Sequence, residues 1–206
     1  MYNSIKDKII SRIYGHGRGW VFSPNDFLQD FKRYEIDNAL KTLADSGTIR
    51  RICRGIYDYP AFSALLQASA GPDMNAVACA IARKFKWQIY PSGDTALNHF
   101  GISTQIPGRL TYISSGPTRI FNTDFGNIEF KHSTQRETQF KYAESALVVQ
   151  ALRSLGASLI TDDILMQIKS KFDADMWQKI KQDTTSAAGW IYASINKLIE
   201  MEYKNE

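Results

Sequence analysis

Between Ile36 and Pro60 the spacing of apolar residues changes from a helical period to a strand period, and this change limits what the first part of the chain can become. Ile36, Leu40 and Leu43 recur at helical spacing, Ser46-Gly47 stops the helix, and T-I-R-R-I-C-R-G-I-Y-D-Y-P follows at once. Ile49, Ile52 and Ile56 require part of that segment to be buried. Arg50, Arg51 and Arg54 require water or an anion, and no acid occurs until Asp58. The segment therefore reads as two short strands turning at Arg54-Gly55, and Tyr59-Pro60 closes it because proline ends a strand.

Upstream, Ile5, Ile9 and Ile13 form one helical face, which G-H-G-R-G terminates. In W-V-F-S-P-N-D-F-L, Ser23 is suited to an N-cap, Pro24 to the first helical position, and Asp26 to the positive end of the helix dipole. Helix, short helix, helix from Arg33 to Asp45 and hairpin is the order of a winged helix-turn-helix. With 100° per residue, Leu40 and Leu43 lie within about 40° of Ile36, so Tyr34, Asn38 and Lys41 take the opposite, outward face.

Beyond Pro60, A-F-S-A-L-L-Q-A reads as helical, and Gly71-Pro72 precedes a helix over 74–86 capped by Asp73. A boundary falls within 60–72. It divides the chain into residues 1–60, the winged helix-turn-helix, and residues 61–206. W-Q-I-Y at 87–90 reads as a strand, and Asp94 as the cap of a short helix ending at Phe100-Gly101. Strands follow over 110–114, 118–122 and 127–131. Helical patterns then run through E-S-A-L-V-V-Q-A-L-R-S-L-G, D-D-I-L-M-Q-I-K-S-K-F and W-I-Y-A-S-I-N-K-L-I-E-M, with Phe172, Trp177, Trp190, Tyr192 and Tyr203 expected in their core. The fold class is α+β: a winged helix-turn-helix, then a mixed domain with a small sheet and a C-terminal helical part.

The chain carries 25 Lys and Arg against 21 Asp and Glu, and residues 1–60 hold most of the excess, 10 against 7. So small a net charge does not argue for nucleic acid; a local cluster does. No apolar run approaches the roughly 20 residues of a membrane helix, and M-Y-N-S-I-K-D-K has no apolar signal region, so a cytoplasmic protein without a membrane partner is expected. Cys53 and Cys79 show no CxxC spacing and read as small buried hydrophobes. His16, His99 and His132 show no metal-ligand spacing, and neither a phosphate loop nor a dinucleotide fingerprint occurs. No cofactor, metal or catalytic activity is expected.

Four stretches in this order, V-F-S-P-N-D-F, I-D-N-A-L-K-T-L-A-D-S-G-T-I-R-R, R-G-I-Y-D-Y-P and P-S-G-D-T-A-L-N-H-F-G-I-S-T-Q-I-P-G-R-L-T-Y-I-S-S-G-P, resemble an AbiEi-type antitoxin of the winged-helix branch. The resemblance covers nearly the whole chain. It implies a DNA-binding repressor of its own operon, the antitoxin of a type IV toxin-antitoxin pair active in abortive infection. The implied partners are double-stranded operator DNA and a nucleotidyltransferase-like toxin that is opposed without a stable complex being required. It also implies a recognition helix from Arg33 through Lys41 and a wing of Arg50, Arg51, Arg54, Gly55 and Tyr57. Glu35 and Asp37 make this recognition helix less basic than the family pattern.

The DNA-binding candidates are thus Arg33, Tyr34, Asn38, Lys41, Arg50, Arg51 and Arg54. Guanidinium forks suit phosphate, asparagine suits adenine, and lysine suits guanine or phosphate. Strand alternation puts Arg50 and Arg54 on one face and Arg51 on the other. Two other readings stay open. Glu129 and Lys131, two apart in a strand, match the E-x-K of metal-dependent nucleases, with Asp94 or Asp124 as the further acid. Alternatively, the winged helix serves only protein contacts.

Overall fold

The computed structural model describes residues 4–63, 67–103, 108–133 and 140–201. The protein is α+β, and its residues group into two compact units, 1–87 with 121–128 and 88–120 with 129–206.

In the first unit, α1 (Ile5–His16) begins where the Ser4 side chain accepts from the Asp7 amide at 3.2 Å, and ends at Gly17 with φ 84°. Its Ile9 and Ile13 are fully buried. A two-residue strand, β1 (Val21–Phe22), leads into a 3-10 turn over Pro24–Phe27, where the Asp26 carboxylate accepts from the Ser23 amide at 2.7 Å. In α2 (Arg33–Asp45), Glu35 folds back to accept from the Lys32 amide at 3.0 Å, which satisfies one of the free donors of the first turn. Ile36, Ala39, Leu40 and Leu43 then pack with Ile9, Ile13, Phe22 and Phe27. Rings extend this core: Trp20 stacks on His16 at 3.8 Å and on Phe22 at 4.6 Å, and Phe22 meets Phe27 edge to face.

β2 (Arg50–Cys53) and β3 (Ile56–Asp58) form the expected hairpin, with β1 added on the far side in the order β1-β3-β2. The register sets Arg50 opposite Asp58 and Arg51 opposite Tyr57, then shifts before Cys53 and Ile56. Asp58 is 1% exposed, and Arg50 grips it with two bonds, Nε to Oδ1 at 3.1 Å and Nη2 to Oδ2 at 2.6 Å. A buried carboxylate without such a partner would be strongly disfavoured. The chain continues through β4 (Phe62–Ser63), β5 (Ala68–Ser69) and α3 (Met74–Phe85), which is capped by Asp73 and packs on β1 and β3.

The second unit contains β6 (Ile89–Pro91), α4 (Asp94–His99), β7 (Arg109–Ser114) and parts of β8 (Arg119–Thr123) and β9 (Gly126–His132), in the sheet order β6-β7-β9-β8. Next come α5 (Ala143–Leu155), a 3-10 turn over Ala157–Leu159, α6 (Asp162–Lys169), α7 (Ala174–Asp183) and α8 (Gly189–Glu200). Every residue of α5 from Ser145 to Leu152 is buried, because α4, β6, α7 and α8 all pack against it. Asp183 fixes its start by accepting from the Lys141 and Tyr142 amides at 3.0 and 3.1 Å. Among the described residues no helix is long and apolar enough to cross a membrane.

Five expectations are corrected. The first unit runs past residue 60 to Trp87, because α3 closes over β1 and β3. A-F-S-A-L-L-Q-A does not start or end as helix: Phe62–Ser63 pairs with Ala68–Ser69 and Gln67 takes φ 46°, since a short uncapped run cannot offset helix nucleation. Asp94 is the first residue of α4 and Gly93 its cap. Of the aromatics expected in the helical core, Trp177 is buried, but Phe172 and Tyr192 are half-buried and Trp190 is exposed. The interior is mostly aliphatic, centred on α5 with Ile191, Ile195 and Leu198 and joined by Phe100, Phe140 and Trp177, and Tyr203 lies outside the described residues. Cys79 is exposed on α3, because Val77, Ala78, Ala80 and Ile81 take its inner face.

Asp58→Ala, which strands Arg50 without its partner, is expected to lower stability in urea unfolding by about 2–3 kcal/mol, while Arg51→Ala on the exposed strand face stays within about 0.5 kcal/mol. Equal small losses would show that the pair does not hold the hairpin.

Candidate functional site

The hairpin and α2 divide the seven candidate residues into engaged and open groups. Arg50 is engaged. Besides Asp58, its Nη2 donates to the Ala70 carbonyl at 3.0 Å, and its guanidinium lies 4.6 Å from the centre of the Phe125 ring. All the polar bonds on that fork run inward, so Arg50 ties the base of the hairpin to residue 70 and to the β8–β9 turn. Arg33 is held more loosely. Its Nε donates to both carboxylate oxygens of Asp37, at 3.0 and 2.9 Å, and its Nη1 donates to the side-chain Oδ1 of Asn25 at 3.3 Å, all at the surface.

Lys41, Arg51 and Arg54 are exposed and form no ion pair among the described residues. The shift in register comes after Arg51, so Arg50 and Arg51 keep the opposite faces that alternation assigns, while the face assigned to Arg54 by counting residues does not apply. Lys41 and Arg51 line one open cleft of about 640 Å³ between the C-terminal half of α2 and the hairpin, together with Arg50, Asp45, Tyr57 and Ser69. Tyr34 and Asn38 instead line a second, shallower groove of about 260 Å³ between α1 and α2, where Lys6 and Glu35 also lie. The outward face of α2 is therefore flanked on both sides. Tyr34, 62% exposed, donates its hydroxyl to Glu35 at 3.2 Å, and the charge of Glu35 raises the phenol pKa.

The turn at Arg54-Gly55 is also tied. Gly55 takes φ 71°, and Lys84 of α3 donates from Nζ to the Arg54 carbonyl at 2.9 Å. Neither Lys84 nor Lys6 was picked out in the sequence. Both are ordinary surface lysines by pattern, and only the packing of α3 and α1 brings them to the hairpin and to α2.

The nuclease-like pair sits differently. Glu129 is largely buried and faces Arg109 at 3.4 Å, while Lys131 is exposed. Among the described residues no three of His, Cys, Asp and Glu come together in a group suited to a metal ion. His132 bonds the Gly116 carbonyl through Nδ1 at 2.9 Å, and His16 is stacked on Trp20. The exposed side chains beside the hairpin and the C-terminal half of α2 include the cations Lys41, Arg51 and Arg54, with Asp45 lining the same cleft as Lys41 and Arg51.

The cysteines report on the hairpin. Burial pushes the Cys53 thiol up, and the positive charges of Lys84 and Arg51 pull it partly back. Partial burial also raises the Cys79 thiol, against the pull of Arg83, although the residue as a whole lies at the surface. A raised pKa leaves less thiolate at a given pH. Both cysteines should therefore react with a thiol reagent more slowly than free cysteine near pH 8, and faster as pH climbs past the ordinary thiol value of about 8.5. Cys79 should react first; earlier reaction of Cys53 would mean that the hairpin opens.

A family model described as "Family of unknown function (DUF6088)" matches residues 8–181. Among solved structures, the crystal structure of RV2827C protein from Mycobacterium tuberculosis is similar at 15% identity and a TM-score of 0.42, with 91% of this chain and 79% of that chain covered. No curated protein matches the chain in sequence. The family match takes in far more than half of the residues, from α1 into α7, and the chain belongs to the DUF6088 family.

Proposed function

We propose that the first unit is a winged helix-turn-helix that binds double-stranded DNA, and that the protein is a transcriptional repressor acting by occupancy of its own operator. The carrying observation is the element order α1, β1, 3-10 turn, α2, β2, β3, with β1 joined to the hairpin and Lys41, Arg51 and Arg54 exposed beside α2. In this reading α2 enters the major groove, where Asn38 reads a base edge, and a backbone phosphate follows the cleft between α2 and the hairpin. Arg51 and Lys41 neutralise that phosphate, and Arg54 reaches the next turn of backbone from the wing. Arg33 changes partner from Asp37 to DNA or stays where it is. Arg50 is structural.

The antitoxin role extends this proposal through the AbiEi-type resemblance. Operon repression would be combined with opposition to a nucleotidyltransferase-like toxin, in the cytoplasm, with the second unit carrying the antitoxin activity. α5 and its surrounding helices give that unit a largely aliphatic core.

The test is affinity for duplex DNA across a salt series. Arg51→Ala and Arg54→Ala should each weaken binding to every sequence and reduce the slope of log affinity against log salt by about 1. Asn38→Ala should cost roughly 1–3 kcal/mol at the preferred site and little elsewhere. Unchanged slopes for both arginine variants would remove the wing from the interface, and equal losses for Asn38→Ala on operator and random duplex would remove it from base readout.

A further inference from the structure

The wing turn is supported from outside the hairpin. β2 and β3 are short and β1 pairs with β3 only at Tyr57 and Asp58, so the turn at Arg54-Gly55 has little strand pairing behind it. Lys84 reaches it from the last turn of α3, its ammonium donating to the Arg54 carbonyl at 2.9 Å. Gly55 makes the approach possible twice over. Its φ of 71° suits glycine, and a Cβ built there would stand 2.7 Å from the Lys84 nitrogen, inside contact distance. The ammonium also lies 5.3 Å from the centre of the Phe85 ring, which holds it at that end of α3.

The helix end that carries Lys84 is itself anchored. Asn25 in the 3-10 turn donates to the Lys84 carbonyl at 3.0 Å, Arg83 donates to the Val21 carbonyl of β1 at 2.9 Å, and the Arg83 guanidinium faces Asp26 at 3.5 Å. A chain of contacts therefore runs from β1 and the 3-10 turn through the end of α3 to the wing turn, all within the first unit.

We propose that Lys84 is a positioning residue: it seats the wing turn, and through it the reach of Arg51 and Arg54 toward a DNA backbone depends on α3. The consequence for DNA rests on the DNA-binding reading above, and the seating of the turn does not. Lys84 is half-buried, whereas Arg51 and Arg54 are exposed. Its bond to a carbonyl offsets the repulsion of gathering a further cation at the turn.

The experiment pairs amide hydrogen exchange in the free protein with duplex binding across a salt series, for wild type, Lys84→Met, Lys84→Arg and Arg54→Ala. Lys84→Met should speed exchange at residues 53–56 by about tenfold and weaken duplex binding by roughly tenfold with the salt slope unchanged, while Lys84→Arg, which keeps a donor, restores both. Arg54→Ala should lower the slope by about 1. If Lys84→Met leaves exchange at 53–56 as in wild type, the seating role is overturned. If it speeds exchange but also lowers the slope by 1, Lys84 touches phosphate itself and the assignment to positioning alone is overturned. Absence of salt-dependent binding by wild type would sink the DNA reading, and the exchange comparison would still decide whether Lys84 seats the turn.

Discussion

The buried carboxylate of Asp58 must be paired, and much of the first unit follows from how this is done. Asp58 stands directly opposite Arg50 across the hairpin, so one two-bond ion pair fixes the register of β2 on β3. A slip of one residue would turn the buried Ile52 outward and the exposed Arg51 inward, which loses apolar burial from the core. The remaining donor of Arg50 and the face of its guanidinium then engage Ala70 and Phe125, so the segments that follow the hairpin are held by the same side chain. With Arg50 spent on structure, the hairpin arginines left exposed are Arg51 and Arg54; Arg51 lines the cleft with Lys41, and Arg54 stands at the turn.

Much of this architecture is legible in the sequence, and the misses have physical causes. The limits of α2 follow from Ile36, Leu40 and Leu43 together with the Ser46-Gly47 stop, and they agree with the structure at Arg33 and Asp45. The hairpin turn at Arg54-Gly55 and the strands β7 to β9 are equally readable, because glycine and proline punctuate runs with period two. β1 is not, since two residues carry no period; only its pairing with β3 makes it a strand. α7 is also missing from the sequence reading, although Asp173 caps it through the Met176 amide and Trp177 and Ile180 bury its inner face.

Site residues were harder to read than elements. Three arginines within five positions look alike in sequence, yet Arg50 differs from its neighbours through partners at positions 58, 70 and 125, and the last two lie beyond any local pattern. The outward face of α2 was correct as a face, since Tyr34, Asn38 and Lys41 are all exposed, but periodicity cannot show that it borders two different grooves. Lys84 entered only when α3 folded back on the hairpin, a contact spanning thirty residues of chain. Helix position explains why a lysine is favoured there, at the negative end of the α3 dipole; it does not say what the ammonium meets.

The central claim, that α2 and the hairpin form one DNA-facing surface, is tested most directly by following backbone amide chemical shifts as duplex DNA is added to the protein at low salt. The account predicts that the largest changes fall on residues 34–41 and 51–55, with α5 to α8 unmoved, and that they fade as salt is raised. Changes confined to the second unit, or none at any salt concentration, would contradict it.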